Sequence, residues 1–217
     1  MGSSGFARWA PLGGIVFVVL WVVTFIVIGN DVDTQDSDAK ILSYYADSGH
    51  QHKHVASLFL FLAASAFFLW FLVVLRGRLA QAEGGAGVWT AAAFGAGLVS
   101  TALWTVGGAF FALPGIAFTD TSKFHLDPNS YRLVEDVGYV IWFSGTTIAL
   151  IVIVATSVLG LRAGAVPKWL AWLGFVAAAT LLVSIFFLPF FVLLGWVLVV
   201  SIVFLVRPER REVPQAA

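Results

Sequence analysis

Charge is so sparse in this chain that its positions cut the sequence into blocks. Between Arg8 and Asp31 lie 22 consecutive uncharged residues, and between Lys53 and Arg76 another 22. Glu83 and Asp120 enclose 36, Asp136 and Arg162 enclose 25, and Lys168 and Arg207 enclose 38. A helix needs about 20 apolar residues to cross the hydrocarbon core of a bilayer. With 60% hydrophobic and 11% charged residues among 217, the chain cannot coat a water-facing surface. That excludes a soluble single-domain enzyme. Disorder is excluded as well, because it needs low hydrophobicity and high charge. In lipid every backbone polar group must be paired internally, which leaves helices or a closed barrel. The blocks are too long and too uniformly apolar for alternating barrel strands.

The first, second and fourth blocks each hold one helix. The first apolar segment, Pro11 to Gly29, reads as an uncleaved span because it is long for a signal core. The third block holds a span over Val88 to Leu113, followed by an apolar loop after Pro114. As a single helix the fifth block would reach about 57 Å, far more than a bilayer core. Pro189 lacks a backbone donor and breaks it, giving spans from Pro167 to Phe187 and from Phe190 to Val206. The expected architecture is all-α. It is a polytopic membrane protein with six transmembrane helices at about 10–29, 54–75, 88–113, 133–161, 167–187 and 190–206, in a single domain over 1–217.

Six spans place both termini on one side. With the amino end inside, Arg8, Arg76, Arg78, Arg162, Lys168, Arg207, Arg210 and Arg211 are internal, 8 of the 12 basic residues. Nine of the 12 acids and all four histidines are external. Basic residues favour the cytoplasmic side, so both termini are expected in the cytoplasm, with Trp9, Trp89, Trp169 and Trp172 near the inner boundary. The balanced total of charges gives no footprint for nucleic acid. The absence of cysteine removes disulfides, thiolate metal sites and cysteine nucleophiles.

The inner connections are short, and two longer loops, roughly Asn30 to Lys53 and Pro114 to Arg132, lie outside. Within the first, residues 36–47 read as a short outer-face helix, with Asp36 capping its start and Gly49 following its end. The turn Phe186-Phe187-Leu188-Pro189-Phe190-Phe191 has no polar residue, so the two outer loops are expected to fold over the bundle as a cap. Small residues at four-residue spacing (Ala93, Gly97, Thr101, Thr105 and Ala109), with Gly138, Gly145, Ala149 and Thr156 on the next span, predict close packing of these two helices at the centre.

Three groups of residues bear chemistry. Asp47, His50 and His54 are metal candidates, since imidazole is a common ligand and positions 50 and 54 share a helix face. Gly49 is expected to interrupt that helix, and no further ligand set is evident. Interfacial histidines facing water or lipid phosphate are the simpler reading. Arg132, Glu135 and Asp136 form a candidate acid–base or anchoring cluster, although local ion pairs at a helix entry (Asp127-Pro128) would use the same residues. The acids Asp31, Asp33, Asp36 and Asp38 lack the glycine and terminal glutamate of a calcium loop. No ionisable residue falls in the middle of a span, which argues against proton- or ion-coupled transport.

Three segments carry a family likeness. They are Asp38-Ala-Lys-Ile-Leu-Ser-Tyr-Tyr-Ala-Asp47, Phe68-Leu-Trp-Phe-Leu72 leading to Leu75-Arg76, and Ala165-Val-Pro-Lys-Trp-Leu-Ala-Trp-Leu-Gly174. The chain resembles six-helix bacterial membrane proteins of unknown function, of the kind common in actinobacteria. That resemblance implies the bacterial plasma membrane and brings no activity. The residues support a non-enzymatic protein with a capped, aromatic outer-leaflet pocket of Trp104, Phe110, Tyr139, Trp142, Phe186 and Phe190. Its expected partners are membrane lipids, an apolar ligand or another membrane protein, with no cofactor and no nucleic acid. The alternatives are a membrane enzyme with an external His/carboxylate site, a small-solute transporter, or an accessory subunit of a membrane complex.

Overall fold

A computed structural model describes residues 9–207. Arg8, Arg210 and Arg211, counted above toward the inner face, lie outside the described residues. In chain order the helices are α1 (Leu12–Ile28), α2 (Asp38–Tyr45), α3 (Ser48–Glu83), α4 (Val88–Asp120), α5 (Pro128–Ile148), α6 (Leu150–Ala163), α7 (Lys168–Leu181) and α8 (Leu188–Val206), with a 3₁₀ turn at Ser184–Phe186. The described residues contain no strand. α3, α4, α8 and the near-continuous rod formed by α5 and α6 are long and apolar enough to cross a membrane. α1 and α7 are apolar but shorter, at 17 and 14 residues.

α4 is the hub. It packs on α3, α5 and α6, while α1 joins α3 to α8 and α7 joins α6 to α8. Lipid gives no hydrophobic drive for helices to associate, so close approach must supply the contact. Gly107 lies so near α5 that a Cβ there would sit 2.9 Å from the Gly138 carbonyl oxygen. Gly145 meets the Ser100 carbonyl at 3.1 Å in the same sense. On the other side of α4 the small-residue stripe meets α3: Gly97 accommodates Leu72, and Thr105 Oγ1 lies 2.8 Å from Ser65 Oγ.

Three sequence expectations change. The loop expected after Pro114 is helix, because α4 runs through the proline to Asp120. The ring removes one backbone donor, but the segment is held from outside, with Gly115 against the backbone of Gln51. Second, the break between the last two helices lies before Pro189. α7 ends at Leu181, Phe187 takes a φ of 61°, and Pro189 sits in the first turn of α8, where a missing donor costs nothing. Phe187 is the one described non-glycine residue in the left-handed region, a local strain that no glycine announced. Third, the cap is partial. α2 packs on α3 and α5, whereas Leu182, Ile185, Phe186 and Leu188 at the α7–α8 turn remain exposed. That apolar turn suits hydrocarbon rather than a protein cover.

Candidate functional site

The end of the bundle formed by the start of α3, the end of α4 and the start of α5 carries a small second core. Ile41 and Tyr45, four residues apart on α2, bury one face against Val32 and Tyr131, with Phe118 and Leu126 packed around them. Ser37, rather than Asp36, caps α2, and its side chain accepts from the Lys40 N–H. Asp36 is engaged by Lys40 Nζ at 2.8 Å and by the Asp33 N–H, bonds that hold its carboxyl below the usual range. Gly49, expected to end α2, lies in the first turn of α3.

Arg132 fastens this layer to the bundle. The expected local pairing with Glu135 and Asp136 is not made. Instead its Nε donates to the Thr34 carbonyl at 2.9 Å, and Nη2 donates to the Asp36 carbonyl at 2.8 Å and to Asp38 Oδ1 at 2.7 Å. One planar fork thus engages three points on the first loop. Beside it, the Tyr131 hydroxyl donates to the Val32 carbonyl at 2.8 Å.

His54 is the second fastening, and it is only 2% exposed. Its Nδ1 lies 3.0 Å from the Phe111 carbonyl oxygen. A carbonyl only accepts, so Nδ1 carries the proton. Its Nε2 lies 3.3 Å from the Tyr45 hydroxyl oxygen. Asp31 Oδ2 stands 3.4 Å from the same nitrogen. Burial first, and the Asp31 charge second, push the Tyr45 hydroxyl above its ordinary range, so it remains a donor. His54 therefore ties α3 to α4 through one nitrogen and to α2 through the other.

The metal candidates do not converge. Asp47 is the N-cap of α3, accepting the Gly49 N–H at 2.7 Å. His50 stacks on Tyr44 with centroids 3.8 Å apart and planes 6° apart, and its Nδ1 lies 2.9 Å from the Tyr44 carbonyl oxygen. Among the described residues no three His, Asp or Glu side chains are grouped to hold a metal ion. In the acid cluster, Asp136 is exposed, while Glu135 turns inward and its Oε1 is buried without a protein hydrogen-bond partner.

The aromatic residues expected to line a pocket mostly fill space. Trp104, Trp142 and Phe190 are buried; Phe190 meets Trp104, Trp142 and Trp21, and Trp142 meets Trp21, at centroid distances of 4.5–6.2 Å. Tyr139 is half-buried and donates to the Ile185 carbonyl, steadying the α7–α8 turn. Phe110 is half-buried with its Cβ against Gly138, and Phe186 is exposed. An open space of about 300 Å³ occurs elsewhere at the same end of the bundle. Leu113, Pro114 and Ala117 of α4 form one wall, Tyr131 and Val134 of α5 the other, and Phe124 and Leu126 its outer rim. Of these residues the sequence singles out only Leu113 and Pro114, as the end of a span and the start of the loop after it. Only the placement of the second loop within the outer end pointed there. No known protein family, no curated protein and no solved structure matches this chain.

Proposed function

We propose that this chain is a non-enzymatic protein of the bacterial plasma membrane that holds an apolar, lipid-like molecule in the outer groove between α4 and α5. It crosses the membrane six times with both termini in the cytoplasm. α1 and α7 serve as the two shorter crossings, α7 being lengthened by the irregular segment 182–187. The basic residues clustered at one end, the acids at the other, and the resemblance to bacterial six-helix proteins support this topology. The groove carries the functional reading. Its volume of about 300 Å³ is at the lower end for ligand sites, and it is walled chiefly by apolar side chains beneath a loop. The His54 and Arg132 fastenings hold the neighbouring layer in place. His54 is read as structural, since both ring nitrogens are engaged and the ring is enclosed.

A fluorescent polyene fatty acid tests the proposal. The purified protein should bind it saturably. Val134→Trp, which fills the groove, should weaken binding about tenfold. Val140→Trp, a control at an exposed position on the same helix, should leave binding unchanged. Equal binding by both variants would remove the groove from the account.

A further inference from the structure

The opposite end of the bundle holds the larger recess, with a volume of about 730 Å³. It lies where α3, α6 and α8 end and α7 begins. Arg78 of α3, Arg162 of α6, Lys168 of α7 and Arg207 after α8 all line it, and no acidic side chain among the described residues does. Four cations from four separate helix ends therefore converge on one hollow. Topology alone asks for basic residues on this side but not for their convergence.

The surroundings favour an anion that also has an apolar part. Arg162 lies over the Trp89 ring at 5.9 Å, and Arg78 lies over the Phe204 ring at 5.0 Å while donating to the Phe204 carbonyl. Glu83, the acid at the end of α3, does not line the recess, and its carboxylate accepts the Trp89 and Thr90 N–H groups at 2.8 Å each. Among the described residues, Arg162, Lys168 and Arg207 form no ion pair. The first turn of α7 faces the recess without a side-chain cap, so its N–H groups add donors beside the three cations. The rest of the lining includes Val166, Val203 and Phe204, and Trp169 and Val206 are exposed close by in sequence. Phosphate at the recess and acyl chains along the exposed apolar helix faces would match this arrangement.

We propose that the recess is a binding site for the phosphate headgroup of an anionic phospholipid. It is separate from the outer groove and does not depend on it. The test uses the full chain in neutral detergent, offered phosphatidylglycerol and phosphatidylcholine in equal amounts, with bound lipid counted by native mass spectrometry. Retention of phosphatidylglycerol over phosphatidylcholine is expected, with a preference reduced about fivefold for each cation removed in Arg162→Gln and Lys168→Gln. Lys40→Gln and Lys123→Gln, at the other end, should leave it unchanged. Equal retention of the two lipids by the unaltered protein would overturn the proposal without recourse to any variant. So would an unchanged preference in the folded double variant. Inorganic phosphate or pyrophosphate displacing the lipid at equimolar concentration would overturn the lipid assignment in favour of a free anion.

Discussion

At the α2 end of the bundle, Arg132, His54 and Tyr131 are engaged by loop carbonyls, the Asp38 carboxylate, the Phe111 carbonyl of α4 and a tyrosine hydroxyl. At the other end Arg162, Lys168 and Arg207 face an open recess. The difference follows from connection length. The connection from α1 to α3 is long enough to form α2, and that helix must bury Ile41 and Tyr45 somewhere. Doing so brings carbonyls and a carboxylate to the bundle end, where buried polar groups must be paired. The connections 84–87 and 164–167 at the recess end are too short to return over the helix ends. The basic side chains at the helix ends beside them, Arg162 and Lys168, form no ion pair among the described residues.

Breaking the helix contact beneath the outer layer should have the largest effect. Gly107→Leu drives a side chain into the Gly138 carbonyl and the Trp142 backbone, neither of which can yield. A loss of about 3 kcal/mol is expected, read as a lowered thermal transition in detergent. His54→Ala comes next. It leaves the Phe111 carbonyl and the Tyr45 hydroxyl without their partner, at a cost of about 2 kcal/mol. Hydrogen exchange should rise in 31–45 and stay constant in 188–206. An equal rise at both ends would show that the outer layer is not a separate unit. Arg132→Lys should cost about 1 kcal/mol, since a point charge cannot engage Thr34, Asp36 and Asp38 together. The inner counterpart, Arg207→Gln, should change stability by less than about 0.5 kcal/mol. If it matches Arg132→Lys, the contrast between the ends fails.

The smallest expected effect is one of pH. Asp127 accepts the Ser130 N–H and hydroxyl, and these bonds hold its carboxyl below the usual range. A lowered folded value means that its contribution is complete above the unfolded value of about 3.9 and is lost as pH falls through the lower one. The start of α5 should therefore show unchanged exchange between pH 7 and 5 and loosen only below about pH 4.

Features that depend on neighbours in sequence were legible. Asp127-Pro128 starts α5, and the stripe from Ala93 to Thr101 is buried, because capping and helical spacing are local. The turn before α8 was misplaced because its reversal rests on Phe187, a residue that seldom adopts positive φ. The role of Arg132 was hidden for a different reason. Its nearest carboxylates in sequence are three and four residues away, yet the groups it engages on Thr34, Asp36 and Asp38 lie more than 90 residues back along the chain. The aromatic set failed because composition cannot distinguish rings that line a space from rings that fill it. Trp142 and Phe190, 4.5 Å apart, fill it.

The central claim is that the fastened acidic end faces outward and the basic recess faces the cytoplasm. The chain has no cysteine, so single cysteines can be placed without background. Ser43→Cys and Ser122→Cys lie at exposed positions at the α2 end, and Ala86→Cys, between α3 and α4, and Ala163→Cys, at the end of α6, at exposed positions at the recess end. A membrane-impermeant maleimide applied to sealed spheroplasts is expected to label positions 43 and 122, and to label 86 and 163 only after permeabilisation. Labelling of 86 or 163 in sealed cells, or protection of 43 and 122, would contradict the account.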